Sequence, residues 1–87
     1  MRDPQSVVHH PLISEQTVAL MEKDNMLVFI VSRKASKKEI KSAVEKLYEV
    51  EVLKVSCSIM PDGRKKAYVR LREEYLADEV ATKIGVF

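Results

Sequence analysis

The side chains that could do chemistry here are lysines and arginines, carboxylates, two adjacent histidines and one cysteine, and their distribution carries more information than their number. Between Arg33 and Arg72 the chain holds twelve basic residues against five acidic ones, a net charge of +7. The flanks set Arg2, Lys23 and Lys83 against eight carboxylates, a net charge of −5, so the overall +2 conceals a polarised molecule. A basic body with acidic ends points to a polyanionic partner, because the summed field of the cluster steers association. The remaining reactive groups are less specific. His9 and His10 lack a third ligand at metal-binding spacing and are better read as solvated or phosphate-facing imidazoles. Cys57 is alone, so it has no internal disulfide partner, and an isolated cysteine is more often a small core residue than a nucleophile. The sequence has no glycine-rich phosphate loop, no histidine within a plausible triad and no isolated carboxylate pair in an apolar setting. An enzyme is therefore not expected, and neither is a cofactor or a metal.

The elements that must position these charges follow from spacing. With 87 residues, 46% hydrophobic and 32% charged, the chain suits one soluble domain too small for a deep pocket. Its longest apolar run, Met26 to Val31, is far too short to span a bilayer, so no membrane insertion and a cytoplasmic location are expected. Residues 1–11, with two of the three prolines, read as an N-terminal arm, and residues 12–87 as the globule. Ser14 is a good N-cap for a short helix to Asp24, with Ile13, Thr17, Leu20 and Met21 along one side. Met26 to Ser32 is apolar on both faces and is expected to be a central, covered strand. Ser36 and Glu39 form a capping box, followed by an apolar stripe of Ile40, Ala43, Val44, Leu47 and Tyr48. The opposite face presents Lys37, Lys38, Lys41, Ser42, Glu45 and Lys46. Three lysines in the first turns oppose the helix dipole unless an external anion compensates, which favours phosphate contact over a merely solvated face.

Val50 to Met60 is a strand whose apolar phase changes between Val52 and Leu53, the mark of a bulge or of the start of regular pairing. Beyond it Leu53, Val55, Cys57 and Ile59 should face inward, and Lys54, Ser56 and Ser58 outward. Pro61-Asp62-Gly63 supplies turn chemistry, so a hairpin follows. Its second arm puts Ala67, Val69 and Leu71 inward and Tyr68, Arg70 and Arg72 outward, beside Lys54. With Arg64, Lys65 and Lys66 at the turn, the hairpin becomes a basic ribbon with one aromatic. Tyr68 could stack on a base or sugar, or be a cross-strand packing residue, and the sequence favours neither. Glu73 to Lys83 or Ile84 is expected to be a helix with Leu76, Val80 and Ile84 on one side, capped by Gly85, with Val86 and Phe87 folding back. The fold class is α+β: a small mixed, mainly antiparallel sheet in the order strand-helix-strand-strand. The crossover makes the first two strands parallel, and the terminal helices pack at the edges or the opposite face.

Several motifs together resemble a known family. His10-Pro11-Leu12-Ile13-Ser14-Glu15, the strand entry from Asn25 to Phe29, and Ala35-Ser36-Lys37-Lys38-Glu39-Ile40 leading to Ala43-Val44-Glu45 are three of them. Lys65-Lys66-Ala67-Tyr68-Val69-Arg70-Leu71 and the ending Val80-Ala81-Thr82-Lys83-Ile84-Gly85-Val86-Phe87 are the others. In this order, from about His9 onward, they resemble protein twenty-three of the large ribosomal subunit, in its archaeal form. The resemblance implies a structural, ribosome-bound protein that binds large-subunit rRNA beside the exit of the nascent-chain tunnel. It also implies neighbouring ribosomal proteins as partners, and an outer surface lent to the signal recognition particle or other nascent-chain factors. Bacterial relatives extend the hairpin into the tunnel. The Pro61 to Arg64 turn is too short for that, and no tunnel-lining role is expected.

On this reading phosphate contacts come from Lys34, Lys37, Lys38, Lys41, Arg64, Lys65, Lys66, Arg70 and Arg72, with Lys54 on the same ribbon and Tyr68 as a stacking residue. The matching entry motif adds His10 and Ser14. Gln16 stands where family members usually carry a lysine, which removes one RNA-facing charge. A four-stranded aromatic RNA module is disfavoured, because the aromatics available on the strands are Tyr68 and Phe29, and Phe29 is expected in the core. The alternative is a non-enzymatic α+β interaction or regulatory domain with no RNA role, whose charged faces merely confer solubility.

Overall fold

Local signals start and stop most of the elements. In the computed structural model, which describes residues 3–83, they are α1 (Pro4–Val7), β1 (Val8–Pro11), α2 (Glu15–Asp24), β2 (Met26–Val31), α3 (Lys37–Tyr48), β3 (Val52–Ile59), β4 (Lys65–Leu71) and α4 (Ala77–Lys83). Both expected caps form. The Ser14 hydroxyl accepts from the Thr17 amide at 3.3 Å, and the Thr17 hydroxyl takes the Ser14 amide at 2.7 Å. Ser36 and Glu39 reciprocate in the same way at 3.2 and 3.1 Å. Each side chain thus satisfies an amide that the first helical turn leaves without an internal partner. Asn25 ends α2 in the left-handed conformation, φ 55°. Gly63 sits in the hairpin turn at φ 94°, where a Cβ would be strained.

The sheet order is β1-β2-β4-β3, and every ladder is antiparallel. As expected, β2 and β3 run in the same direction, but β4 inserts between them, so the expected parallel pairing is absent. The hairpin arm with the more apolar inner face takes the centre, and the more polar β3 is left at an edge. The segment read as an arm contributes α1 and the other edge strand: Val7 and Val8 are buried, and His10 and Pro11 pair with Ile30 and Phe29.

All four helices lie on one face of the sheet. Val7, Met21, Ile40, Val44 and Val80 share a single core with Leu27, Phe29, Val31, Ala67 and Val69. Tyr48 stacks on Phe29 with ring centroids 5.5 Å apart, and burial pushes its phenol pKa up. The terminal helices therefore do not cover the opposite face. The reason is area: a four-stranded sheet of this size gives α3 and the three shorter helices one layer to share, and burying that single face already yields a continuous core.

Three further expectations change. Leu53 and Ile59, read as inward, are 52% and 55% exposed, because β3 is an edge strand whose first residues bulge. Glu45, read as part of the solvated helix face, turns toward that bulge and accepts the Val52 amide at 2.9 Å. Such a donor, set free by the bulge and half-buried, needs a partner. The last helix begins at Ala77, with Glu73 and Glu74 in a turn and Leu76 49% exposed. The expected roles of Ile84, Gly85, Val86 and Phe87 lie outside the described residues. Among the described residues, no helix is long and apolar enough to cross a membrane.

Candidate nucleic-acid interface

The helix-free face of the sheet is built by three cross-strand rows. One runs Met26, Arg70, Lys54; the next Val28, Tyr68, Ser56; the third His10, Ile30, Lys66, Ser58. None of the four strands contains an aspartate or glutamate. Val28 and Ile30 are 3% and 4% exposed although no helix covers them. Long side chains flank them in the rows, Tyr68 beside Val28 and Lys66 beside Ile30. Lys66 Nζ lies 5.2 Å from the centre of the Tyr68 ring, a cation–π contact that holds the ammonium over the aromatic. Tyr68 is therefore a packing residue over β2 and, being half-buried, still presents part of its ring outward.

At the hairpin end of the sheet, the tip and the start of α3 come together. Lys65 faces the helix side, and its Nζ donates to the Ala35 carbonyl at 2.7 Å, one residue before the N-cap Ser36. Its charge is thus used to join hairpin and helix. Arg64 projects from the tip, with Nε donating to Asp62 Oδ2 at 2.9 Å. The Arg64 backbone amide and, less strongly, its guanidinium hold the Asp62 carboxyl pKa below the ordinary range. Arg33, which the sequence reading counted as basic but did not single out, joins this group: its guanidinium comes to the open side of Gly63.

The α3 lysines lie round the other edge. Lys37, Lys38 and Lys41 are exposed and line a groove of about 150 Å³ with Leu53, Lys54 and Val55 of β3. Lys54 thus belongs both to the open face and to this groove, and makes one belt of them. Lys34 is exposed in the link between β2 and α3. Two residues stand apart. Ser14 has its hydroxyl committed to the α2 cap, and Arg72 lies at the far end of β4, its carbonyl accepting from Asn25 Nδ2 at 3.3 Å.

That far end has the opposite character. Glu22, Glu73 and Asp78 line a cleft of about 320 Å³ with Met21 and Leu76, and only Lys23 among the lining residues is basic. Asn25 ties this end together: Nδ2 donates to the Leu71, Arg72 and Tyr75 carbonyls, and Oδ1 accepts the Ala77 amide at 2.7 Å. A residue that ends one helix thereby caps the start of another more than fifty positions away. Nearby, the Glu51 carboxylate pushes the Tyr75 phenol pKa up, with burial adding to the shift. Among the described residues, no group of three or more His, Cys, Asp or Glu side chains could hold a metal.

A basic face, a basic end and an acidic end on one small α+β scaffold agree with the likeness seen in the motifs. A family model described as ribosomal protein L23 matches residues 6–79. The large ribosomal subunit protein uL23 of Methanococcus vannielii is 46% identical over 85 residues, covering 98% of this chain and 99% of the relative. Those of Methanococcus maripaludis and Methanococcus aeolicus are 44% and 45% identical with the same coverage. With the family match spanning most of its length and archaeal relatives aligning almost end to end, the chain belongs to the ribosomal protein L23 family, in its archaeal form.

Proposed function

We propose that this protein is a structural component of the large ribosomal subunit that lies on large-subunit rRNA with the open face of its sheet and its hairpin end. Membership in a structural, non-enzymatic family agrees with the lack of a catalytic set in the sequence. The observation that carries the reading is the carboxylate-free face holding Lys54, Lys66 and Arg70, continuous with Arg33 and Arg64 at the hairpin end. Cations there contact phosphates and release counterions, giving affinity with a steep salt dependence. Tyr68, pinned under Lys66, offers a rigid edge for packing against sugar or base. Specificity then comes from the fit to folded RNA. Neighbouring ribosomal proteins are further partners, and the acidic α2–α4 end, turned away from such an RNA, is the surface offered to nascent-chain factors at the tunnel exit.

The test is filter binding of the full chain to large-subunit RNA over a range of salt. Replacing Lys54, Lys66 and Arg70 together by Gln should flatten the log–log salt slope by roughly two units, at about 0.7–0.9 per phosphate contact. A slope equal to that of the unaltered protein rejects the open face as the interface. Co-sedimentation of a tagged copy with large subunits tests the ribosomal assignment itself.

A further inference from the structure

Beside the open face, β1, the end of β2 and the hairpin turn enclose a cleft of about 430 Å³, lined mainly by apolar surface. Its lining includes the exposed His10, Arg33 and Arg64 and the turn residue Gly63, with Ile30 and Val31 nearly buried among them. We propose that this cleft receives one unpaired nucleotide of the large-subunit RNA, its base against the exposed His10 ring and its phosphate between Arg33 and Arg64. The inference rests on the RNA-binding reading above and deepens it: the open face lies against the RNA, and here the surface takes in a whole base.

Four features favour this occupant. The volume falls in the range of small-ligand sites, and an apolar floor is of no use to a bare phosphate. Among the described residues, no hydrogen bond or ion pair engages the Arg33 guanidinium, and glycine at the tip leaves it open room. The other charges around the cleft are accounted for: Asp62 is paired with Arg64 through Nε, leaving the Arg64 Nη donors for a ligand, and Lys65 Nζ is held on Ala35. Finally, His10 Nδ1 lies 3.0 Å from the Pro11 carbonyl. With Nδ1 donating to that carbonyl, Nε2 of the neutral ring is an acceptor that would pair with an exocyclic amine or a ribose 2′-hydroxyl. An aromatic ring, an apolar floor and two arginines together are the equipment for an unstacked ribonucleotide.

The experiment is binding of the full chain to large-subunit RNA in buffer at about pH 8, with His10→Ala and Arg33→Gln compared over a range of salt. His10→Ala should weaken binding about five- to tenfold with the salt slope unchanged, since it removes a stacking contact and no phosphate contact. Arg33→Gln should weaken binding and flatten the slope by roughly 0.7–0.9. His10 is exposed on an edge strand, so its replacement leaves the core intact. Affinity for His10→Ala within twofold of the unaltered protein overturns the nucleotide cleft. In that case a flattened slope for the open-face triple variant would still uphold the RNA interface, so the two failures are distinguishable.

Discussion

The two ends of the sheet solve the same problem with opposite chemistry. At each, one side chain reaches across the fold to main-chain groups of a distant segment: Asn25 at the acidic α2–α4 end, Lys65 at the basic hairpin end. The amide of Asn25 both donates and accepts, so it can seal a turn and cap a helix without adding charge among carboxylates. The ammonium of Lys65 can only donate, but it sits among cations whose field its removal would lessen. Structural polarity is thus separated from functional polarity. The acidic end is held by a neutral group, whereas the basic end spends one of its own charges on holding itself together.

Breaking the Asn25 network should have the largest effect. Asn25→Ala leaves the Leu71, Arg72 and Tyr75 carbonyls and the Ala77 amide without this partner, and puts a non-glycine, non-Asn residue at φ 55°. We expect a loss of about 3 kcal/mol in urea unfolding, the sum of a lost cap, unsatisfied half-buried groups and left-handed backbone cost. Asn25→Gly, which removes only the backbone part, should recover about 1 kcal/mol of it. Equal losses for the two variants would mean that the conformation contributes nothing.

Lys65→Met should cost less, about 1–2 kcal/mol, by removing one charge-assisted hydrogen bond on a half-buried stem. Because that ammonium already has a protein partner, the same variant should leave the RNA salt slope within about a third of a unit of the original, against roughly 0.7–0.9 for a phosphate-contacting lysine. A full-unit change would place Lys65 on the RNA and blur the distinction between the ends.

At the acidic end, Glu73→Gln with Asp78→Gln should leave stability within about 0.5 kcal/mol, as for most surface substitutions. The salt slope for RNA should also be unchanged, because the proposed interface lies at the other end of the sheet. A flattened slope would show the RNA wrapping both ends.

The smallest effect concerns pH. The Tyr75 phenol has its folded pKa raised, first by the Glu51 carboxylate. The folded state therefore holds this proton longer than the unfolded chain, and stability falls as pH rises through about 10, where an ordinary phenol ionises. Below that the contribution is fully present. Glu51→Gln should lower the Tyr75 phenolate midpoint in an ultraviolet titration and shallow the alkaline loss of melting temperature. A midpoint that stays put would assign the shift to burial alone.

Much of this molecule could be read from residues near one another in the chain. The Ser14 and Ser36 caps, the stop at Asn25, the turn at Gly63 and the stripe of Ile40, Ala43 and Val44 are all local, because they depend on hydrogen bonds or spacing within a few positions. So was the outward set of Lys54, Tyr68 and Arg70, since alternation along a strand fixes which residues share a face. The family likeness was legible too, from the order of five short motifs.

Pairing was not legible, because backbone hydrogen bonds between strands look alike whatever the side chains. Nothing in Val8-His9-His10-Pro11 marks it as an edge strand until Ile30 and Phe29 are beside it, and the insertion of β4 between β2 and β3 follows from burial summed over the whole sheet. The apolar pattern of Met26 to Val31 correctly announced burial on both faces but not its means, since long side chains of adjacent strands can cover Val28 and Ile30 as a helix would. Sequence alone determined the elements from α2 to β4 and which of their residues share a charged face, because these follow from local spacing. Only the tertiary structure decided that Lys65 is structural, that Asn25 serves two helices and that Arg33 meets the hairpin tip, because each depends on chain segments thirty or more positions apart being brought within hydrogen-bond or van der Waals reach.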